Sequence, residues 1–382
     1  MPKMKAIPFA IVALILTLGT LPAAAQKIDG RTGFTYQAWT SDADESASQW
    51  HLPIHLDLRA NRFSMHLTAG YAYTSGDLSG DTSRSIEGFL DTQVGGAFLL
   101  PGWIGWDWMA GVDLNLPTGR TGLDERDLRM MLDPDLVNII SPGQGFNINP
   151  YLGAARSWQR WLVGIGAGYA FQGKYDYSNL TRDYDPGDLF NVAARVTYSF
   201  SDFWQLSFQG QYATTSKDKI NGIDMMKKGD TWLMRAALAR TAARWDITLS
   251  TQTILRGKAR FVEAGGNGLS TEARNSQGQE WTIDLLGGYR PYPGTGINAG
   301  FQFLYLRPND YETTSPLYMG RRQKYTLAVG LIQQLTDSLE LDFGLKGFLM
   351  DDDPNWLHLN ESREYHGWSV SAAIVHRFYG PR

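Results

Sequence analysis

The chain has 382 residues, no cysteine, a formal charge of -4, 13% aromatic residues and 41 glycines. Disulfides and thiolate-built zinc or iron–sulfur sites are therefore excluded. The mild acidity, with no basic tract, argues against a nucleic-acid partner.

Residues 1–25 are expected to be a cleaved signal peptide. Lys3 and Lys5 precede an apolar run from Ala6 to Leu21, and Ala23-Ala24-Ala25 offers a small-residue cleavage site before Gln26. Loss of two lysines takes the charge from -4 to -6 (-4 minus 2). The alternative is an anchor that stays attached. No later run of about 20 apolar residues suggests a spanning helix. No linker or composition break divides residues 26–382, which are read as one domain.

Period-two alternation then recurs in about sixteen segments: 32–40, 50–60, 63–74, 87–99, 105–116, 149–158, 161–172, 189–200, 203–215, 230–241, 244–256, 280–290, 296–307, 323–335, 338–350 and 366–379. In 203–215, Trp204, Leu206, Phe208 and Tyr212 alternate with Gln205, Ser207, Gln209 and Gln211. Most segments match the length of about 9–11 residues that a tilted strand needs to cross a bilayer. Their connections alternate between tight turns, such as Asn61-Arg62 and Ser201-Asp202, and long loops, such as 117–148 and 257–279. Trp106, Trp161, Trp204 and Trp245 follow short turns, and Trp50, Trp232, Trp281 and Trp368 follow long loops. All eight fall on the greasy face. Indole prefers the membrane–water interface, so two belts at two heights are expected.

The predicted fold is all-β: a transmembrane antiparallel up-and-down β-barrel of about sixteen strands. Short periplasmic turns and long extracellular loops place it in the outer membrane of a Gram-negative bacterium. The greasy face would meet lipid and lipopolysaccharide, and the amide face would line a wet bore. The last strand ends on Phe378 and Tyr379 and resembles the terminal strand read by barrel-insertion machinery, although Arg382 ends the chain where Phe is usual.

Alternation also assigns the charges. Inward are Arg195, Arg235, Arg244 and Arg256 on one side, and Asp57, Asp91, Asp107 and Asp113 on another. Asp284, Asp246, Asp342 and Lys346 are inward too. Opposed basic and acidic walls would set up a transverse field that sorts solutes; alternatively, these charges are solvated or paired with neighbours. His55, Asp57 and His66 should cluster across the Asn61-Arg62 turn. Such a set can bind zinc or copper, or form an ordinary polar patch.

Loop 117–148 is the longest and could fold inward as a constriction or lie outside as a lid. Its DERDLRMML stretch suggests a helical turn or two before Pro134. Asp124, Glu125, Asp127, Asp133 and Asp135 make it acidic. Folded inward, it would present carboxylates to the arginine wall. Gly164, Gly166 and Gly168 leave bare backbone on the inner wall and suggest room for that loop.

Leu116-Pro117-Thr118-Gly119, then GFNINPYLG (145–153), VGIGAGYAFQGKYDY (163–177) and Tyr184-Asp185-Pro186-Gly187-Asp188 resemble the MetA-pathway phenol-degradation family. The likeness runs over roughly residues 110–215. It implies an outer-membrane barrel that passes small aromatic or organic molecules. The connection order also resembles that of sixteen-strand general porins, whose third long loop folds into the bore. The polar lumen, read residue by residue, favours a polar solute instead. The expected function is a passive channel for small solutes. The alternatives are a barrel sheathing a periplasmic partner, and an outer-membrane hydrolase using His66 with Asp57. No catalytic set and no cofactor are expected, and the oligomeric state stays open.

Overall fold

The computed structural model describes residues 27–78, 84–263, 265, 268–355 and 361–379. The expected signal peptide, residues 1–25, lies outside the described residues, as does Arg382. Sixteen staves make the wall. They are β1 (Lys27–Ser41), β2 (Ser46–Ala60), β3 (Phe63–Asp77), β4 in two pieces (Arg84–Phe89 and Thr92–Trp103), β5 (Trp106–Leu116), β6 (Asn147–Trp158), β7 (Trp161–Gln172) and β8 (Leu189–Ser199). There follow β9 (Trp204–Thr215), β10 (Thr231–Thr241), β11 (Trp245–Arg256), β12 (Glu280–Tyr292), β13 (Thr295–Leu306), β14 (Arg322–Gln334), β15 (Leu339–Asn355) and β16 (Glu361–Tyr379).

Each stave pairs antiparallel with its neighbour in sequence, and β1 pairs with β16 from Lys27↔Tyr379 to Ser41↔Tyr365. That last ladder closes the ring and removes both edges, as an apolar surrounding requires. Among the described residues no helix is long and apolar enough to cross a membrane; the strands supply the wall.

Directly opposed residues share a face, so the register assigns every side chain. One face carries Phe208, Leu249, Ile283, Leu327, Leu345 and Ile374, all exposed. All eight interface tryptophans lie on this outer face. Near the long-loop end Trp50 stacks on Tyr73 with ring centroids 5.6 Å apart, and Tyr36 meets Trp368 at 5.4 Å. Near the short turns Trp161 meets Tyr198 at 4.6 Å. The other face carries the glutamines, hydroxyls and most charges.

The staves differ from the sequence expectation where the wall is tall. β1, β2 and β3 have 15 residues each, β15 has 17 and β16 has 19. The expected loop 41–49 shrinks to residues 42–45, and most of the expected loop 351–365 is strand. These added residues alternate like the rest, but many are polar on both faces, because they stand above the apolar girdle. β4 breaks at Leu90–Asp91, where the ladder to β3 skips from Phe89 to Gln93. On the opposite side, loops 173–188, 216–230 and 257–279 build a second, five-stranded sheet. Its order is Leu269–Thr271, Arg260–Val262, Ile223–Lys227, Asp218–Ile220 and Tyr184–Asp185.

Several turns need left-handed backbone. Asn61 (φ 51°) and Gly294 (φ 79°) suit it; Ile104 (φ 55°), in the Leu100–Gly105 bend, does not. Ile104 is 75% exposed, so its side chain gains little from packing. Replacing Ile104 with Gly should relieve the strain and stabilise the barrel by about 1 kcal/mol. Urea-unfolding midpoints in detergent or liposomes measure this, and a midpoint below the parent's contradicts the reading.

Candidate functional site: a loop bolted to the inner wall

Loop 117–148 is rooted at the break in β4. Asp91 Oδ1 accepts from the Gly119 amide at 2.8 Å and its Oδ2 accepts from the Gln144 amide at 2.6 Å. The Asp91 amide donates to Pro142 O at 3.1 Å, and Asn115 Nδ2 donates to Gly145 O at 2.6 Å. Asp91 was expected as a wall charge. It instead ties both ends of the loop together.

One helical turn follows, α1 (Glu125–Leu128), capped reciprocally by Asp124 and Asp127. The Asp127 amide holds the Asp124 carboxyl below the usual carboxylate range. Asp127 is buried and ion-paired with Arg120. This is the single turn at the lower end of the expected one or two, and beyond it the chain buries its apolar side chains.

Those side chains seal against the tall part of the wall. Leu132, Leu136 and Val137 form one buried cluster with Trp39, Ala47, Phe348, Met350 and Tyr365. The five wall residues all lie on the inner face of β1, β2, β15 and β16. Met350 is 1% exposed. Fully burying an apolar side chain of this kind is worth about 1.5–3 kcal/mol. A second cluster joins Leu123 and Met130 to Ile86 of β4.

Polar bolts flank the clusters. Gln49, 1% exposed, donates through Nε2 to Ile139 O at 2.8 Å and accepts from the Ile139 amide at 2.9 Å. Its Nε2 also donates to Thr74 Oγ1 at 2.8 Å, while Gln37 donates to its Oε1 at 3.1 Å. Further round the same wall, Arg322 on β14 donates to Asp135 at 2.6 Å and forms an ion pair with Asp133 at 2.8 Å. Its other nitrogens make a two-bond fork to Asp352 at 2.6 and 2.7 Å. Lys324 reaches the Asp135 carbonyl and sits 4.6 Å over the Phe348 ring.

The carboxylates of Asp133 and Asp135 therefore meet Arg322, and Lys324 takes the Asp135 carbonyl, while none of the loop acids meets Arg195, Arg235, Arg244 or Arg256 among the described residues. Sequence reasoning missed Arg322 because β14 was expected to begin at residue 323. The signal was present: Arg322 continues the inward parity of Lys324 and Thr326.

The glycines also correct an expectation. Gly164, Gly166 and Gly168 are on the inner face of β7, beside Gly153 and Ala155 of β6. The nearest atoms to an added Cβ at Gly164, Gly166 and Gly168 belong to β6 and β8, not to the loop. β7 is eight staves from β15, half a ring away. The loop occupies one side of the bore and the bare strip faces it.

The remaining wall charges divide by local pairing. Arg256 is ion-paired with Glu280 at 2.8 Å near the long-loop end. Arg235 donates to Ser250 at 3.1 Å, which donates to Asp284 at 3.3 Å; Gln302 donates to the other Asp284 oxygen at 2.8 Å. Arg244 lies in a rim turn, not on a stave, because β11 starts at Trp245. Asp107 accepts from the Gly102 amide at 2.8 Å and so shapes the short turn beside it. Arg377–Glu340 at 3.0 Å ties neighbouring staves β16 and β15, and Arg31–Asp342 at 3.1 Å reaches from β1 across β16 to β15, both near the chain ends. Among the described residues no acidic side chain pairs with Arg195 or Lys346.

The hairpin of β2 and β3 has the register its turn demands, with Asp57↔His66 and His55↔Thr68. His55 Nε2 lies 2.9 Å from Asp57 and Nδ1 lies 2.8 Å from Thr68 Oγ1. His66 turns instead toward Asp113, 3.6 Å away, and its ring takes the space that a Cβ at Gly95 would need. His55, Asp57 and His66 do not converge on one point. Among the described residues no group of three or more His, Asp or Glu could hold a metal ion.

Beside the loop, Leu123 bridges to Ser178, and Tyr175, Tyr177 and Tyr184 pack ring against ring. Burial pushes the Tyr175 hydroxyl up to about 12, and Tyr184 is pushed up by burial and by its hydrogen bond to Asp218, so neither ionises near neutral pH.

The class is thus a closed sixteen-strand β-barrel with a long loop packed on one inner wall. The chain belongs to the family described as "Putative MetA-pathway of phenol degradation", whose model matches residues 19–270. That span is wider than the segments carrying the resemblance in sequence. No curated protein matches the chain. Among solved structures, an outer-membrane channel from Pseudomonas putida F1 is similar at 11% identity and a TM-score of 0.41, covering 66% of this chain and 93% of that one. OccAB4 from Acinetobacter baumannii is similar at 9% identity and a TM-score of 0.47, covering 94% and 100%. OccK7 from Pseudomonas aeruginosa is similar at 10% and 0.47, covering 93% and 100%.

Arg322 is 12% exposed at its side chain and faces three carboxylates. Arg322→Met strands those charges and should cost about 3–5 kcal/mol. Arg322→Lys, which keeps the charge but loses the fork, should cost less. Limited proteolysis within 117–148 and thermal unfolding check this. Equal protease resistance in parent and Arg322→Met would show that the ion cluster does not hold the loop.

Proposed function

We propose that this protein is an outer-membrane channel through which small solutes pass by diffusion, and that residues 117–148 are its constriction. The observation that carries the reading is the loop's burial against the inner wall opposite an empty glycine strip. A loop held this firmly narrows the bore without sealing it. The passage that remains runs along β5 to β9, past Tyr151, Arg195, Gln209 and Gln211.

The outer face fits lipid and lipopolysaccharide, and an outer membrane is the setting that a closed strand barrel with short turns at one end suits. Residues 1–25 would direct export. The description of the family points the solute toward small aromatic or organic molecules. The amide- and hydroxyl-lined wall suits those carrying polar groups. Selection would come from bore width and from the charges left after local pairing. Arg195 on β8 and Arg235 on β10 stand opposite the side of the ring that holds Asp57 on β2; Asp113 on β5 stands midway between Asp57 and Arg195. A field across the bore orients polar solutes without binding them tightly, which suits passage.

Single-channel conductance in planar bilayers tests the constriction. Deleting residues 122–140 should raise conductance roughly two- to fivefold, in proportion to the widened bore. An unchanged conductance would place the loop outside the ion path. Replacing Arg195 and Arg235 together with Gln should move the reversal potential in a salt gradient toward cation preference. If it does not move, the arginines have no part in ion sorting.

A further inference from the structure

Two cations stand on the greasy side of the wall among the described residues, Arg156 of β6 and Arg240 of β10, and Arg240 is the one held between two indoles. Arg240 is next to last in β10 and pairs with Trp204 of β9 and Ile247 of β11, both outer-face residues. Its guanidinium carbon is 5.3 Å from the Trp204 ring centroid and 4.6 Å from that of Trp245. Each indole begins its stave, so the three groups sit at one height, beside the short turns. Arg240 Nε is buried and has no hydrogen-bond partner, and among the described residues no carboxylate pairs with this side chain.

A charge on the lipid face is costly at mid-membrane and nearly free of penalty near the interface. That sets the depth of Arg240 but not its company. Two indoles hold the guanidinium plane by cation–π attraction, and a planar fork held this way matches a phosphate. Toward mid-membrane the outer face continues as Leu238 between Leu206 and Leu249, a surface for acyl chains. Phosphodiester is the anion that a bilayer presents at this depth.

We infer that Arg240, Trp204 and Trp245 form a binding site for the phosphodiester of a phospholipid in the leaflet at the short-turn end. The site rests on the barrel spanning a membrane, and not on what passes through its bore. The lipid would hold the rim at a set depth, its phosphate oxygens accepting from the terminal guanidinium nitrogens, since Nε is shielded by the protein.

Native mass spectrometry of the full barrel released from detergent tests it. Phosphatidylglycerol and phosphatidylethanolamine are compared with diacylglycerol of the same chain length. The parent should retain one phospholipid, and Arg240→Gln should lower the retained fraction about tenfold. Arg62→Gln, the same charge change at another short turn, should not. Diacylglycerol should be retained equally poorly by all three. Retention by Arg240→Gln at the parent's level, or diacylglycerol retained as well as phospholipid, overturns the site. Displacement of the lipid by millimolar inorganic phosphate would show a site for free phosphate and overturn the lipid assignment. Folding is read from heat-modifiable gel mobility. Should Arg240→Gln not fold, Trp204→Leu and Trp245→Leu are read in its place with the same expected loss.

Discussion

An unpaired N–H or C=O surrounded by hydrocarbon costs several kcal/mol, and this one penalty organises the molecule. It forces the sixteen staves to close, which the β1–β16 ladder does over fifteen directly opposed pairs from Lys27↔Tyr379 to Ser41↔Tyr365. Closure with antiparallel pairing fixes the register. Register fixes the face of every residue, because a slip of one would turn each side chain to the other side. The exposed Leu, Ile, Val and Phe of the outer wall and the amides of the inner wall are two readings of the same ladder.

The same logic explains how a long loop can live inside a barrel. A buried loop would normally strand its backbone polar groups. Here Gln49 mimics a strand partner for Ile139, and Asp91 receives the amides at both roots. The apolar residues of the loop then find cover on Trp39, Phe348 and Met350. That cover exists only because β1, β2, β15 and β16 rise well beyond the apolar girdle. The break at Leu90–Asp91 lets β4 bend where the loop is rooted. Tall wall, broken stave and packed loop form one device.

Charge follows a different rule. Most inner charges are satisfied by a neighbour one stave away: Arg256 by Glu280, Asp284 by Ser250 and Gln302, Arg377 by Glu340. A bore lined with locally paired charges stays wet and weakly polar overall. Arg195 and Lys346, with which no acidic side chain pairs among the described residues, stand on nearly opposite walls. Glycines serve this layer too, because Gly95 and Gly367 leave the space that the rings of His66 and Phe348 occupy.

Much of this was legible in the chain by itself. Strand alternation, loop sorting and the eight outer tryptophans determine an antiparallel barrel of this size and the face of residues such as Gln209 and Phe208. They do so because period-two hydropathy is a local property that no distant contact needs to supply. The Asn61-Arg62 turn likewise sets Asp57 opposite His66, since a two-residue turn leaves no choice of register. Only the tertiary structure decided where loop 117–148 lies and that Arg322 and Lys324 hold it. It also decided that Asp91 is a root rather than a wall charge, and that Arg244 belongs to a turn. Those outcomes depend on which stave comes to stand beside which loop after the ring closes, and side-chain partners separated by 187 residues, as Asp135 and Arg322 are, leave no periodic trace in the chain.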